Sequence, residues 1–210
     1  MIELLASGLG RNDEGPNIEL AEKISEKCDA AGVAEIVSGL KSKDAGIAAD
    51  CIKVLYEIGY RRPELISIYA EDFVSLLDSK KNRLIWGGMT ALGTIADIVP
   101  DEVHKHIDKI KKAYGNGSVI TVDNSITVFA KLCSSDKRYM DELFPFLIKH
   151  LRECRTKEVP QHAERMLVCI SDGNRDVFLE TLRERNKDMT ASQAGRTKSI
   201  EKALTSKNKD

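Results

Sequence analysis

The residues of this sequence that could bind a metal form two pairs at helical spacing. His104 and Asp108 are four residues apart, as are His150 and Cys154, and residues at i and i+4 share one face of an α-helix. A zinc site needs at least three protein ligands. No third ligand lies at a suitable spacing, and neither an H-E-x-x-H motif nor a cysteine-rich knuckle is present. The sequence therefore predicts no metal site and no cofactor.

Motifs for nucleophilic catalysis and phosphate binding are missing as well. The glycine-rich stretch GGMTALG, which starts at Gly87, lacks the GK[ST] of a P-loop and lies within a continuous helical pattern. There is no G-x-S-x-G, and Cys133 has no histidine partner in a known signature. Paired acids such as Glu71 and Asp72 fall at predicted helix starts, where the helix dipole favours negative charge. We therefore expect a protein that is not an enzyme.

Composition favours a helical protein of near-neutral charge. Aromatic residues make up only 5% of the 210 residues, so aliphatic side chains must fill the core, which suits helices packed on helices. The net charge of −1 gives no global attraction to nucleic acid or to an anionic membrane. Five scattered cysteines without a CxxC pair, together with no signal-peptide pattern, predict reduced thiols in the cytoplasm.

A repeat of 37 residues organises the chain. One step back from Leu92 is Leu55, one step forward is Phe129, and two steps forward is Met166; all are apolar. The same step relates Ile58, Ile95, Leu132 and Cys169. Self-similarity at one period is typical of repeat architectures. The sequence therefore predicts an all-α fold, an α-α superhelix or solenoid of about five stacked helical hairpins.

Each repeat is predicted to contain two helices, A and B, within one domain of residues 1–210. Residues 1–28 should form N-terminal capping helices, 29–172 the regular repeats, and 173–210 C-terminal capping helices with a basic tail. Pro63 and Pro100 are expected to open successive A helices, and Pro145 to kink or split a third. The predicted A helices span 64–79 and 101–114, and the B helices 46–60, 82–99, 118–133 and 158–171.

These features resemble those of HEAT-repeat α-solenoids and their armadillo relatives. The clearest likeness is LIWGGMTALGTI, from Leu84 to Ile95, which follows the apolar and small positions of a HEAT helix. The resemblance covers roughly residues 30 to 172. It implies stacked helical pairs whose B helices commonly line an extended concave binding surface. Proteins of this kind scaffold complexes, act on modification enzymes or, in one branch, bind damaged DNA.

A helical wheel predicts which B-helix residues point away from the core. We call them the predicted ridge, and expect a protein or peptide partner to bind there. Trp86 flanks the ridge, either as a filler between adjacent repeats or as an anchor for a partner. Gly87 marks either close packing between helices or close approach of a partner; on the second interpretation a bulky residue there should leave stability nearly intact. The ridge comprises Asp50, Lys53, Glu57, Gly87, Thr90, Thr94, Asn124, Thr127, Lys131, Gln161, Glu164 and Val168.

The leading hypothesis is a non-enzymatic interaction scaffold that binds a protein or peptide along this ridge. The alternative is a HEAT-like DNA-binding module or a DNA-repair module of the alkylpurine glycosylase type. The ridge carries too little positive charge for that alternative, so nucleic acid is not the expected partner. A third alternative, a regulatory subunit or lyase-like partner that acts on a chromoprotein or a modified enzyme, shares the same scaffold physics, and the sequence does not separate it from the first. The basic segment from Arg183 is either a solvated cap or a contact for an acidic partner.

Overall fold

A computed structural model of the chain describes residues 1–206, and within them all regular structure is helical. The prediction of an all-α fold is confirmed. The last four residues of the predicted basic tail lie outside the described part. The α-helices are α1 Gly15–Lys27, α2 Ala30–Gly39, α3 Ala45–Arg61, α4 Ala70–Ser75, α5 Asn82–Ile95, α6 Pro100–His104, α7 Ile107–Asn116, α8 Val119–Ser135, α9 Lys137–Glu153, α10 Val159–Met166, α11 Arg175–Arg185 and α12 Ala191–Ser206.

Two compact units divide the chain, Met1–Val128 and Phe129–Asp210, here called unit 1 and unit 2. In unit 1 the B helices α1, α3 and α5 pack side by side, and each of the A helices α2 and α4 packs on the B helix that follows it. In unit 2, α9 packs on α10 and α11 packs on α12 in the same way. Within the described residues the pairs recur at the predicted spacing, since Pro63, Pro100 and Lys137 each begin an A segment.

The apolar positions of the repeat form the cores of the units, as the 37-residue spacing predicts. Leu55, Ile58, Leu92 and Ile95 are completely buried in unit 1. In unit 2, Phe129 is completely buried and packs edge to face on Phe146, with ring centroids 5.2 Å apart. Full burial of a side chain of this size contributes about 1.5–3 kcal/mol, so the repeated apolar positions account for much of the stability of each unit.

The A segments are less regular than the sequence pattern indicates. The A helix predicted over 64–79 is a succession of short 3₁₀ and α segments, of which α4 is the longest. The one predicted over 101–114 is interrupted between α6 and α7, at Lys105 and His106. Conversely, α9 runs through Pro145 without splitting, because Pro145 is exposed and only one intrahelical donor is lost. Of the two predicted outcomes, a kink or a split, the split at Pro145 does not occur.

The B helices α3, α5 and α8 begin at Ala45, Asn82 and Val119, which are 37 residues apart, but their first turns have different capping chemistry. The Asp44 carboxylate accepts hydrogen bonds from the N–H groups of Gly46 (2.7 Å) and Ile47 (3.3 Å) at the start of α3. At the start of α8, the Ser118 hydroxyl accepts from a backbone N–H. Lys81 occupies the equivalent position before α5 and makes no side-chain cap. The first turn of α5 is therefore capped less well than that of α3.

We expect Lys81→Asp to stabilise unit 1 by about 1 kcal/mol, because Lys81 is exposed and its extended backbone suits a capping side chain. Asp44→Ala should destabilise it by a similar amount, about 1 kcal/mol. Urea denaturation of both variants beside the wild type measures the two changes. If Lys81→Asp leaves the unfolding free energy unchanged, capping does not limit the stability of α5.

Candidate partner-binding site

An aromatic cluster lies on the B-helix surface of unit 1. It consists of Tyr56 and Tyr60 on α3 and Trp86 on α5. The ring of Tyr56 lies 6.0 Å, centroid to centroid, from the ring of Tyr60 and the same distance from that of Trp86. Tyr60 is 62% exposed and Trp86 is half-buried, while Tyr56 is buried beneath them. Tyrosine and tryptophan are enriched at binding hot spots, so the cluster is a candidate contact for a partner.

An ion-pair network borders the aromatic cluster. Lys53 is buried, and its Nζ lies 2.8 Å from a carboxylate oxygen of Glu14 and 2.9 Å from one of Glu57. The same ammonium group is 4.9 Å from the ring centroid of Tyr56, a cation–π distance. Arg61 Nη1 donates to Glu57 at 2.6 Å. The cations beside the cluster are thus neutralised by acids of the chain itself.

Two further pairs extend the network to α1 and α5. Arg61 Nη2 donates to Glu22 of α1 at 3.0 Å, and Arg83 Nη2 donates to Glu14 at 3.2 Å. Glu14 therefore joins Lys53 of α3 to Arg83 of α5. Exposed pairs of this kind contribute little individually, but a network that crosses several helices fixes their side chains in place.

The charges of the network are mutually stabilised. Burial raises the pKa of Glu57, but hydrogen bonds from Arg61 and Lys53 outweigh it and hold that pKa below the ordinary value of 4.5. Burial lowers the pKa of Lys53, and the carboxylates of Glu14 and Glu57 more than reverse this, so the net shift is upward. Burial also raises the pKa of Tyr56. Lys53 and Glu57 are therefore both charged at neutral pH.

The N-terminal end of the predicted ridge is covered by the chain's own first residues. Asp50 is 8% exposed rather than open to a partner. Its carboxylate accepts hydrogen bonds from the Ser7 N–H at 2.8 Å and from the Asn17 amide at 2.9 Å. The Asn17 oxygen in turn accepts from the Ala6 N–H at 3.0 Å. Asp50 and Lys53 are thus wrong as exposed ridge positions. The N-terminal segment and α1 satisfy Asp50, and the carboxylates of Glu14 and Glu57 pair with Lys53.

The centre of the predicted ridge packs against neighbouring B helices. Gly87 is buried, and a Cβ atom added to it would lie 2.8 Å from Ile52 Cγ1 of α3. Thr94, 5% exposed, contacts Gly59 of α3. Thr90, also 5% exposed, accepts a 2.7 Å hydrogen bond from the Asn124 amide of α8. The prediction of an exposed, uncharged centre is therefore wrong, because these small residues allow the helices to approach each other.

The remaining ridge residues differ in exposure. In unit 1, Thr127 is half-buried and its side chain packs beside Gly93 of α5. In unit 2, Lys131 and Gln161 are half-buried, whereas Glu164 is exposed. The Glu164 carboxylate forms a two-point ion pair with the guanidinium of Arg196 on α12, and Val168 is 53% exposed. That these residues bind a partner stays a prediction.

The predicted ridge did not include Tyr56 and Tyr60. Tyr56 and Tyr60 are four residues apart on α3, the spacing of neighbours on one helix face. What the sequence could not show is that Trp86, thirty residues after Tyr56, contacts the same ring. The pair spacing was a usable signal, whereas the contact to α5 depends on how closely α3 and α5 approach.

The two histidine pairs have different outcomes in the structure. His104 ends α6 and Asp108 lies in α7, so the helix that would align their side chains is interrupted. In unit 2, by contrast, a third potential ligand, His162 of α10, lies close to His150 and Cys154. Sequence spacing gave no signal for His162, which is twelve residues from His150 and on a different helix.

The alternating A and B helices at a fixed 37-residue spacing give the chain the fold of a helical-repeat solenoid. An engineered protein of known crystal structure matches with a TM-score of 0.67 at 19% identity, over 94% of this chain and 93% of its own. A designed armadillo repeat protein in complex with the peptide (KR)4 matches with a TM-score of 0.69 at 14% identity, over 89% of each chain.

A further match is a computationally designed armadillo repeat protein for modular peptide recognition, with a TM-score of 0.65, 13% identity and coverage of 90% of this chain and 91% of its own. At these identities the likeness establishes the fold alone. No protein-family model matches the sequence, and a search of curated proteins finds no significant match. No helix within residues 1–206 is long and apolar enough to cross a membrane.

We expect Gly87→Ala to destabilise unit 1, in contrast to the ridge hypothesis. Helix propensity favours alanine by about 1 kcal/mol, but the new methyl group would overlap Ile52, and overpacking costs about 1–3 kcal/mol. Ile52→Ala alone should cost about 2–5 kcal/mol. The double variant should lose less unfolding free energy than the two single variants lose together, because the methyl group of Ala at position 87 enters the space that Ile52 leaves.

Gly195→Ala is the matched control for Gly87→Ala. Gly195 lies in α12, and a Cβ atom there would meet nothing within 4 Å. This change should stabilise the protein by up to about 1 kcal/mol. Urea denaturation measures the unfolding free energies of Gly87→Ala, Ile52→Ala, the double variant and Gly195→Ala. Equal effects of Gly87→Ala and Gly195→Ala would show that Gly87 is not packed against α3.

The stability of unit 1 should fall in acid partly through Glu57. Because the pKa of folded Glu57 is below its ordinary value, the carboxylate stabilises the fold above pH 4.5, and this contribution is lost as the pH falls through the lower, folded pKa. Glu57→Gln should therefore reduce the loss of stability over that window. Glu26→Gln, at an exposed position of α1, is the control. Denaturation at a series of pH values measures the slopes; identical slopes in both variants would contradict the role of Glu57.

Proposed function

We propose that the protein is a non-catalytic interaction scaffold that binds a protein segment on the B-helix surface of unit 1. The aromatic cluster is the observation that carries this proposal. Tyr60 presents most of its surface to solvent while its neighbour Tyr56 is held in place by Trp86 and Lys53. An exposed aromatic side chain on a rigid support can bury a large apolar area with little loss of conformational entropy.

The chemistry of the surrounding network supports a peptide segment as the ligand. Lys53, Arg61 and Arg83 all form ion pairs with carboxylates of the chain. A polyanionic ligand would have to displace those acids, whereas an apolar side chain on the cluster leaves the network intact. Two of the solved structures with this fold are designed for or bound to peptides, which supports the same class of ligand here.

Selection from a displayed library of random peptides tests the proposal. We expect the wild-type protein to enrich a set of related peptides that contain an apolar or aromatic residue. Their affinity, measured by fluorescence anisotropy, should fall about thirtyfold with Tyr60→Ser, since removal of a hot-spot side chain costs about 2 kcal/mol. Trp86→Leu should weaken binding in the same direction, because it removes the support for Tyr56.

Ile68→Ser is the matched control, because Ile68 is 79% exposed and lies in an A segment rather than on a B helix. Its affinity for the selected peptides should equal that of the wild type. Circular dichroism should show that all variants are folded. Selected peptides that bind Tyr60→Ser as tightly as the wild type would exclude the aromatic cluster as the binding site, and failure to select any peptide would contradict the proposed ligand class.

A further inference from the structure

Three potential metal ligands converge in unit 2. The ligand atoms of His150, Cys154 and His162, two ring nitrogens and a thiol sulfur, all lie within 4.8 Å of one another. His150 Nε2 and His162 Nδ1 are 2.7 Å apart, a hydrogen bond between two imidazoles. His162 is completely buried and His150 is 6% exposed, whereas Cys154 is half-buried. Two of the three ligands are therefore buried, and the third lies nearer the surface.

The backbone holds the three ligands at one junction. His150 belongs to the last turn of α9, and Cys154 is the residue that ends this helix, its N–H donating to the His150 carbonyl at 2.8 Å. His162 lies in the first half of α10. Arg185 fixes the junction from the other side, because its guanidinium donates to the carbonyl oxygens of Leu151 (2.6 Å) and Cys154 (2.8 Å). The ligands therefore come from two packed helices and not from a single mobile loop.

The separations suit a small tetrahedral ion. With zinc–nitrogen bonds of about 2.0–2.1 Å and zinc–sulfur bonds of about 2.3 Å, tetrahedral ligands are about 3.3–3.6 Å apart. The imidazole pair is closer than this, at 2.7 Å, and no separation in the cluster exceeds 4.8 Å. Side-chain movements of about 1 Å would bring the three atoms to bonding positions without moving the helices. Zinc would then replace the hydrogen bond between the imidazoles.

The donor set itself selects the class of metal. Two imidazoles and one thiol are borderline to soft ligands, which favour zinc over the hard cations calcium and magnesium. We propose that His150, Cys154 and His162 form a zinc site with three protein ligands and the fourth position open to water. On binding, the Cys154 thiol gives up its proton to solvent and the thiolate bonds to the metal.

Metal binding by the full chain tests the site directly. After equilibrium dialysis against zinc and removal of free metal, the wild type should retain one zinc per chain. Cobalt, substituted for zinc, should produce the absorption bands of a tetrahedral ion together with a sulfur-to-cobalt charge-transfer band. Cys154→Ser should lose the charge-transfer band and most of the retained zinc. Cys28→Ser, at an exposed cysteine in unit 1, should change neither.

A second variant and a second measurement distinguish loss of the ligand from loss of the fold. His162→Gln changes a buried residue, so its circular dichroism and melting temperature are first compared with those of the wild type in chelator. Zinc should raise the melting temperature of the wild type and of Cys28→Ser but not that of Cys154→Ser. Zinc should also slow modification of Cys154 by a thiol reagent, while Cys28 reacts at an unchanged rate.

Two results would overturn the site. One is a wild-type chain that retains no zinc and shows no charge-transfer band with cobalt. The other is a Cys154→Ser chain that retains as much zinc as the wild type, because the metal would then be bound elsewhere. The test does not depend on the peptide site, since the aromatic cluster lies in unit 1 and none of its residues is changed.

Discussion

The close approach of neighbouring B helices is the constraint on which unit 1 depends. At three places a small residue of one helix lies against a side chain of the next: Gly87 against Ile52, Gly59 against Thr94, and Gly93 against Thr127. Glycine in the middle of a helix costs about 1 kcal/mol relative to alanine. That cost is offset because a helix without a Cβ atom at the contact lets its neighbour pack closely, which buries the repeated apolar residues on both sides.

This packing determines what surface remains for a partner. Residues that a helical wheel places away from the core, such as Thr90 and Thr94, are used in contacts between B helices and are 5% exposed. Only a narrow stripe of each helix stays open. On α3 and α5 that stripe carries Tyr60 and Trp86, bordered by ion pairs that run from α1 to α5. The binding hypothesis therefore moves from a broad ridge with an uncharged centre to a small aromatic cluster with a charged border.

The periodic part of the fold could be predicted from sequence, and the lateral contacts could not. A step of 37 residues identified the buried positions of the B helices correctly, because burial follows from spacing along a single helix. The predicted exposure of Gly87 and Asp50 was wrong because spacing along one helix does not show contacts with other parts of the chain. Gly87 meets α3, and Asp50 meets the N-terminal segment, and both contacts join parts of the chain that no local pattern relates. Breaks in the A helices escaped prediction too, since tertiary packing overrides propensity in short segments.

The basic residues near the C-terminus illustrate the same limit and bear on the choice of partner. From the sequence, the basic segment that begins at Arg183 could be either a solvated cap or a contact for an acidic partner. In unit 2, however, Arg183 pairs with Glu201, Arg196 pairs with Glu164, and Arg185 donates to the carbonyl oxygens at the end of α9. Each guanidinium is already bound to helix carbonyls or to a carboxylate, so an anionic partner would compete with those bonds. These arginines therefore connect helices of unit 2 to one another. This structural role weakens the case for a polyanionic partner in this unit.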